Sequence, residues 1–287
     1  MTAPPFAYFG GKTRLAGSAA ALPAHEHYVE PFAGSLAVLL TKKRSRIETV
    51  NDRDGLLMTF WRVLRDKPEQ LARVCALTPH SRAEYAAAQA AYCEGRLEGL
   101  DDLEVARLVW TMIAQGRGGT MRSSGWRFYV NPGSNSMGMA GYLDAYVERM
   151  AAAAERLQHV SLESRPALEI VEQYGAHPKC CLYVDPPYLG STRSARGGGN
   201  GYRIDMPDHA DHVELLGALM GCRASVVLSG YPSELYDDTL RGWDRLEIPH
   251  MTSQGNSGNK ARTEVLWFNR PLLTQGLLFD DCQEVCG

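Results

Sequence analysis

Seven short strand-like runs punctuate the chain, at 27–31 (HYVEP), 47–51 (IETVN), 159–163 (HVSLE), 180–184 (CCLYV), 224–229 (ASVVLS), 244–248 (DRLEI) and 264–268 (EVLWF). Several are apolar throughout, as strands are when a sheet is covered on both faces. Helical stretches at 35–43, 166–174, 208–221 and 233–240 lie between them. Strand and helix in alternation predict an α/β fold built on a doubly wound, seven-stranded sheet. One interval of about a hundred residues, between the second and third runs, breaks the rhythm. It holds helical segments at 54–66, 81–95, 101–114 and about 139–157, the last preceded by QGRGGTMRSSGWRFYVNPGSNSMG. None of it is needed to complete the sheet. Residues 56–150 are therefore expected to form an inserted helical domain with its own recognition task, with 1–55 and 151–272 as the sheet domain and 273–287 as a C-terminal tail.

The stretch FAYFGGKTRL (6–15) resembles the lip of a phosphate-binding loop. Such a loop needs a glycine five positions before Gly11, between a buried strand and a helix. Phe6 holds that place, Pro4 and Pro5 precede it, and no feeder strand is expected. Nucleotide hydrolysis is thereby disfavoured, although the glycines still permit close backbone approach and Lys12 brings a positive charge.

The net charge of −3 does not advertise a nucleic-acid partner, but its distribution does. Three stretches lack any acidic residue: 105–143 with Arg107, Arg117, Arg122 and Arg127; 186–204 with Arg193, Arg196 and Arg203; and 248–263 with Lys260 and Arg262. Rich in Gly, Ser, Asn and aromatics, they are expected to be mobile basic loops that steer an anionic polymer to one face. Trp126, between Arg122 and Arg127, is a candidate for stacking or wedging at DNA. The KKRSR run at 42–46 is expected to be the solvated end of a helix, and Trp110, Met112 and Ile113 to be helix core.

Seven cysteines without a C-x-x-C pair, and eight histidines without metal-binding spacing, point to reduced thiols and no metal. No apolar stretch approaches the length of a membrane span, and no signal-peptide pattern is present. A cytoplasmic, monomeric protein is expected.

Two stretches sit where strands end, the edge at which α/β folds place ligands. In VEPFAGS (29–35), Glu30 closes a strand, Pro31 and Gly34 shape a tight turn, and Ser35 can cap the next helix. Asp52, at the end of the following strand, has the spacing at which an acid accepts a ribose hydroxyl. In VDPPY (184–188), two prolines remove two donors, leaving the carbonyls of Asp185 and Pro186 beside the Asp185 carboxylate. That cluster of acceptors suits an NH2 group, and Tyr188 offers a face for a planar base.

These residues carry a resemblance. YFGGK (8–12), VEPFAGS (29–35), ND (51–52), YVDPPY (183–188), VVLSGY (226–231) and RTEVLWFN (262–269), in this order, are similar to the adenine-N6 DNA methyltransferases related to Dam and to the enzymes of GATC-type restriction systems. The resemblance implies a Rossmann-like methyltransferase sheet and S-adenosylmethionine as cofactor. Tyr8, Gly10, Gly11 and Lys12 would fold over it, and Glu30, Pro31, Phe32, Ala33, Gly34 and Ser35 would line its methionine end. Asp52 would hold its ribose, and Asp185 would face it as well. It further implies that Asp185, Pro186, Pro187 and Tyr188 receive an adenine rotated out of double-stranded DNA, while the insertion meets DNA around Arg117, Arg122, Trp126 and Arg127. Arg193 and Arg196 are further candidates for DNA contact.

Two departures stand out. Leu36 occupies a position where relatives often carry glycine. Pro166 lies where an acid often holds the cofactor's adenine, leaving that contact unassigned. Cytosine carbon-5 methylation is excluded by the lack of any Pro-Cys pair, whereas cytosine-N4 methylation and a non-catalytic DNA-binding protein remain alternatives. GATC as the target rests on resemblance alone.

Overall fold

The computed structural model describes residues 2–8, 10, 22–97, 99–121, 124–130, 138–189, 204–206, 208–252 and 260–272. Gly11, Lys12, Arg122, Arg193, Arg196 and the 273–287 tail lie outside them.

Seven strands form one sheet: β1 (His27–Glu30), β2 (Ile47–Asn51), β3 (Val160–Glu163), β4 (Cys180–Val184), β5 (Ser225–Gly230), β6 (Asp244–Thr252) and β7 (Lys260–Phe268). Their order is β3-β2-β1-β4-β5-β7-β6, parallel except for β7, which runs antiparallel to both its neighbours. β1 lies between β2 and β4, so the chain reverses its winding there and opens a crevice beyond the strand ends. The fully apolar strands are explained by the covering on both faces. Cys181 and Tyr183 of β4 join one core with Tyr28, Leu39, Val50, Phe60 and Trp61, while Cys180, Leu182 and Val184 join another with Ile170, Leu215 and Trp267.

Helices α1 (Ala37–Thr41), α8 (Ala167–Gly175), α9 (His209–Met220) and α10 (Glu234–Thr239) make the crossovers. Between β2 and β3 lie α2 (Gly55–Asp66), α3 (Pro68–Leu77), α4 (Arg82–Cys93), α5 (Asp102–Gln115), α6 (Gly138–Glu148) and α7 (Met150–Leu157). Asp54, Ser81 and Asp101 cap α2, α4 and α5 through their side chains, which explains where those helices start. The sequence reading passed over α3, whose Pro68 occupies a first-turn position that proline favours. It also merged α6 and α7, which break at Arg149. The first core runs without interruption from the sheet into α2, α5 and α7, with a small satellite around Ala88, Leu108 and Met112.

The edge pair β6–β7 corrects a second expectation. Residues 248–252 and 260–263 continue the ladder, with Pro249 opposite Thr263 and Thr252 opposite Lys260. This ribbon is held by main-chain pairing, so it needs none of the apolar alternation that marks a strand in sequence.

Lys42 corrects a third. It is 7% exposed, with Nζ 2.5 Å from Glu48 and 4.2 Å from the centre of the Tyr28 ring. Arg156 of α7 reaches the same carboxylate at 2.5 and 2.7 Å. Burial alone would raise the Glu48 carboxyl, but Arg156, Lys42 and the Ser45 N–H outweigh it and hold the group below its usual range. Only the rest of the KKRSR run faces water.

Removing that carboxylate would strand two buried cations. Glu48→Ala is expected to cost about 3–5 kcal/mol, read from the urea midpoint; a loss below about 1 kcal/mol would show that water already solvates the group.

Candidate active site

The turn after β1 is built on unusual backbone. Gly34 has φ +49°, and Leu36 has φ 55° and ψ 27°, the left-handed region that a side chain occupies only at a cost. Leu36 is entirely buried, and its burial offsets the strain, because a removed core leucine typically costs more than one left-handed residue. The turn leaves the Gly34 N–H 3.0 Å from Asp52 Oδ2, while the Asp54 N–H reaches Oδ1 at 2.9 Å. Trp61 Nε1 donates to the Gly34 carbonyl at 3.1 Å.

Asn51 ties this turn to the next two loops. Its amide donates to the carbonyls of Pro31 (2.9 Å) and Arg165 (3.1 Å), and its Oδ1 accepts from the Arg165 N–H (2.8 Å). The side chain is fully buried. The sequence reading quoted Asn51 within a motif but gave it no role, since both partners are remote in the chain.

Residues from these loops line one cavity at the C-terminal edge of β1, β2, β3 and β4. Of the residues singled out from sequence, Tyr8, Gly10, Glu30, Phe32, Ala33, Gly34, Ser35, Asp52, Asp185 and Pro187 line it. Pro31, Pro186 and Tyr188 do not. The lining carries seven acidic residues, Glu30, Asp52, Asp54, Asp185, Asp205, Asp211 and Glu214, against one basic residue, Arg53, among the described residues.

Glu30 is 2% exposed. Its Oε1 accepts from the Tyr28 hydroxyl at 2.7 Å and the Leu39 N–H at 2.9 Å. Burial pushes its carboxyl up to about 7, helped by the negative charge of Asp185 and opposed by those two donors and Lys42. The Tyr183 hydroxyl, buried beside the same site, is raised far above its ordinary range by burial and then by Asp185.

Tyr188 lies outside the cavity. Its ring centre is 4.4 Å from that of Tyr231, tilted by 48°, and its hydroxyl donates to the buried Glu264 of β7. Both partners come from stretches quoted for the resemblance, but their convergence on Tyr188 depends on the sheet order β4-β5-β7.

Residues 2–8 form no strand and are strapped to the helices. Trp110 Nε1 donates to the Pro5 carbonyl (3.2 Å), Arg149 to the Pro4 carbonyl (3.3 Å), and the Ala7 N–H to the Tyr146 hydroxyl (3.0 Å). Tyr8 lies where its ring would be 3.5 Å from a Cβ on Gly34. Gly119 (φ +63°) approaches the Ala7 carbonyl so closely that no Cβ would fit.

The basic stretch after α5 folds back through a Gly116–Trp126 bridge. Trp126 stacks between His80 (4.5 Å) and Phe128 (5.5 Å), with the Arg82 guanidinium 4.7 Å above it. Trp126 is thus held in an aromatic stack of its own, and Phe128, Tyr129 and Val130 are the exposed apolar residues there. Arg117 lies 5.5 Å from the Phe128 ring and Arg127 5.0 Å from that of Tyr142.

A family model described as D12 class N6 adenine-specific DNA methyltransferase matches residues 8–253. The chain belongs to that family. By family it is a DNA methyltransferase, a transferase associated with adenine-N6 methylation. No curated protein matches it. Among solved structures, the precorrin 8W decarboxylase of Methanobacterium thermoautotrophicum is similar over 93% of this chain and 98% of its own, at 12% identity and a TM-score of 0.35, a likeness too distant to carry any argument. No group of three or more His, Cys, Asp or Glu among the described residues could hold a metal ion. No described helix is long and apolar enough to cross a membrane.

The raised Glu30 carboxyl sets a pH dependence for the D12 methyltransferase. The folded protein holds this proton up to about pH 7, whereas the unfolded chain releases it near 4.5. Stability linked to Glu30 is therefore present at pH 4 and lost as pH rises through 7. Glu30→Gln is expected to gain on the wild type over that window, by up to about 3 kcal/mol at pH 8; parallel stability profiles would overturn the assignment.

Proposed function

We propose that the chain transfers a methyl group from S-adenosylmethionine to the exocyclic N6 of an adenine turned out of double-stranded DNA. The observation that carries this reading is the convergence of Asp185, from β4, with Glu30, Gly34 and Asp52, from β1 and β2, on one cavity at the winding reversal.

The cavity's chemistry fits the cofactor. A lining with seven acids and one arginine attracts a cation and repels a polyphosphate, which again disfavours the ATP reading of the GGKT stretch. Glu30 and Ser35 would hold the amino-acid end, Gly34 would allow close backbone approach, and Asp52, braced by two backbone N–H groups, would accept a ribose hydroxyl. Tyr8 would cover the site from above. When bound, S-adenosylmethionine supplies an electrophilic methyl group on a positively charged sulfur.

The remaining work belongs to the DPPY turn. The lone pair of an adenine amine is delocalised into the ring. With the Asp185 carboxylate and the Pro186 carbonyl each accepting one N–H, the lone pair is directed away from the ring, and positive charge developing on nitrogen is stabilised. Tyr188, fixed by Tyr231 and Glu264, sets the ring plane, and alignment contributes much of the acceleration. The base must leave the duplex because N6 is unreachable within the stack.

The helical segment 56–150 would read the target. Arg117 and Arg127 are phosphate contacts in this reading, and the aromatic contact with DNA passes from Trp126 to Phe128 and Tyr129. Cytosine-N4 methylation is the second reading, and Asp185 in place of serine disfavours it by family likeness only.

Asp185→Ala should abolish transfer of labelled methyl to duplex DNA while sparing DNA binding; near-normal turnover would sink the mechanism. Tyr188→Phe keeps the ring but leaves Glu264 without that donor, so it should lose modest activity and Tyr188→Ala far more. Equal losses would argue against stacking. Arg117→Ala should reduce the salt slope of DNA binding by roughly one, and an unchanged slope would remove the phosphate contact. Methylation-sensitive sequencing of DNA from cells expressing the chain would report both the base and its context.

A further inference from the structure

The sheet itself measures the cofactor. Strands β4, β1, β2 and β3 are consecutive neighbours, and at about 4.8 Å per strand the ends of β4 and β3 stand about 14 Å apart. With the reactive end at Asp185 on β4 and the sugar at Asp52 on β2, the cofactor's ring system falls over the end of β3.

A slot exists there. Pro166, Ala167 and Leu168 at the start of α8 line the cavity, and so do Ile204, Asp205 and Met206 from the segment after the DPPY turn. Leu168 and Met206 both pack on the second apolar core, so the two segments share that support as well as the cavity. The 204–206 segment is held from below by His212, which is fully buried. His212 Nε2 lies 2.8 Å from the Met206 carbonyl and Nδ1 lies 2.8 Å from the Tyr236 hydroxyl. Because a carbonyl only accepts, Nε2 carries the proton and Nδ1 accepts from Tyr236. The Met206 N–H in turn donates to Asp205 Oδ1 at 2.9 Å, which fixes the carboxylate against its own segment.

The opposite wall offers no acid of its own. Pro166 has no N–H and no polar side chain, and Arg165 is turned to Glu163, Glu169 and Gln173. Of these six lining residues five are apolar and one, Asp205, is a carboxylate, a combination that matches a flat heterocycle bearing an amino group.

We propose that this slot holds the adenine ring of S-adenosylmethionine and that Asp205 accepts a hydrogen bond from its exocyclic amine. Asp205 is thus a cofactor-specificity residue supplied by the segment after β4, in place of the contact that Pro166 cannot make. This inference rests on the cofactor reading given above.

Calorimetric titration of the full chain with S-adenosylhomocysteine and with S-inosylhomocysteine tests it. The inosine compound replaces the amine by a carbonyl oxygen, which would face a carboxylate. The wild type is expected to bind the adenosine compound at least about 10-fold more tightly. Asp205→Ala should lose roughly that factor for the adenosine compound alone, bringing the ratio near one, and Asp205→Asn, which keeps an acceptor oxygen, should restore part of it. An unchanged ratio in Asp205→Ala, or an equal loss for both compounds, overturns the assignment. So does transfer of the effect to Asp211→Ala or Glu214→Ala. A wild type that binds neither compound would instead overturn the cofactor reading itself, and the slot's occupant with it.

Discussion

The site hangs on one buried carboxamide. Asn51 ends β2 and holds the loops after β1 and β3 through three hydrogen bonds, so three of the segments that line the cavity share a single fixed point. Its neighbour Asp52 fixes the glycine turn and the start of α2 by accepting from Gly34 and Asp54. A side chain with only one of these functions would leave a buried donor or acceptor unpaired, at about 1–3 kcal/mol each. The floor of the active site is therefore rigid before any ligand arrives.

Electrostatics then sorts the ligands. The cavity collects carboxylates from β1, from the loops after β2 and β4, and from α9 and the segment before it; burial, and after it repulsion from Asp185, keeps Glu30 protonated near neutrality. A cationic ligand would relieve that repulsion. Among the described residues Arg53 is the one basic side chain in the lining, while Arg82 of α4 and Arg117 after α5 lie beside the Trp126 and Phe128 rings. In the proposed reading, attraction for a cation and attraction for a polyanion would thus fall on separate surfaces.

Much of this could be read from sequence. The parallel strands announced themselves because burial on both faces leaves nothing charged in CCLYV or SVVLSG, and EPFAGS and DPPY stood out because their prolines and glycines force particular backbone. Other features depend on distant partners. Lys42 resembled a solvated helix end because its counter-charge, Glu48, and the Arg156 that shares that carboxylate come from β2 and α7. Trp126 resembled an unsupported aromatic because His80 and Arg82 lie more than forty residues away. Asn51, Tyr231 and Glu264 acquire their roles only when the sheet order is known, and α3 was hidden by a proline that starts a helix as readily as it ends one.

The close approach of Gly119 to Ala7 has a practical consequence for changing target specificity. The fold that carries the basic and aromatic residues is anchored by a missing side chain to the same strap that ends in Tyr8, the wall over Gly34. Any segment grafted there would have to preserve that glycine and its positive φ, or it would push the strap toward the cavity that Tyr8 lines. If the proposed DNA reading holds, changes of specificity are best confined to 126–130, with Gly119 held constant.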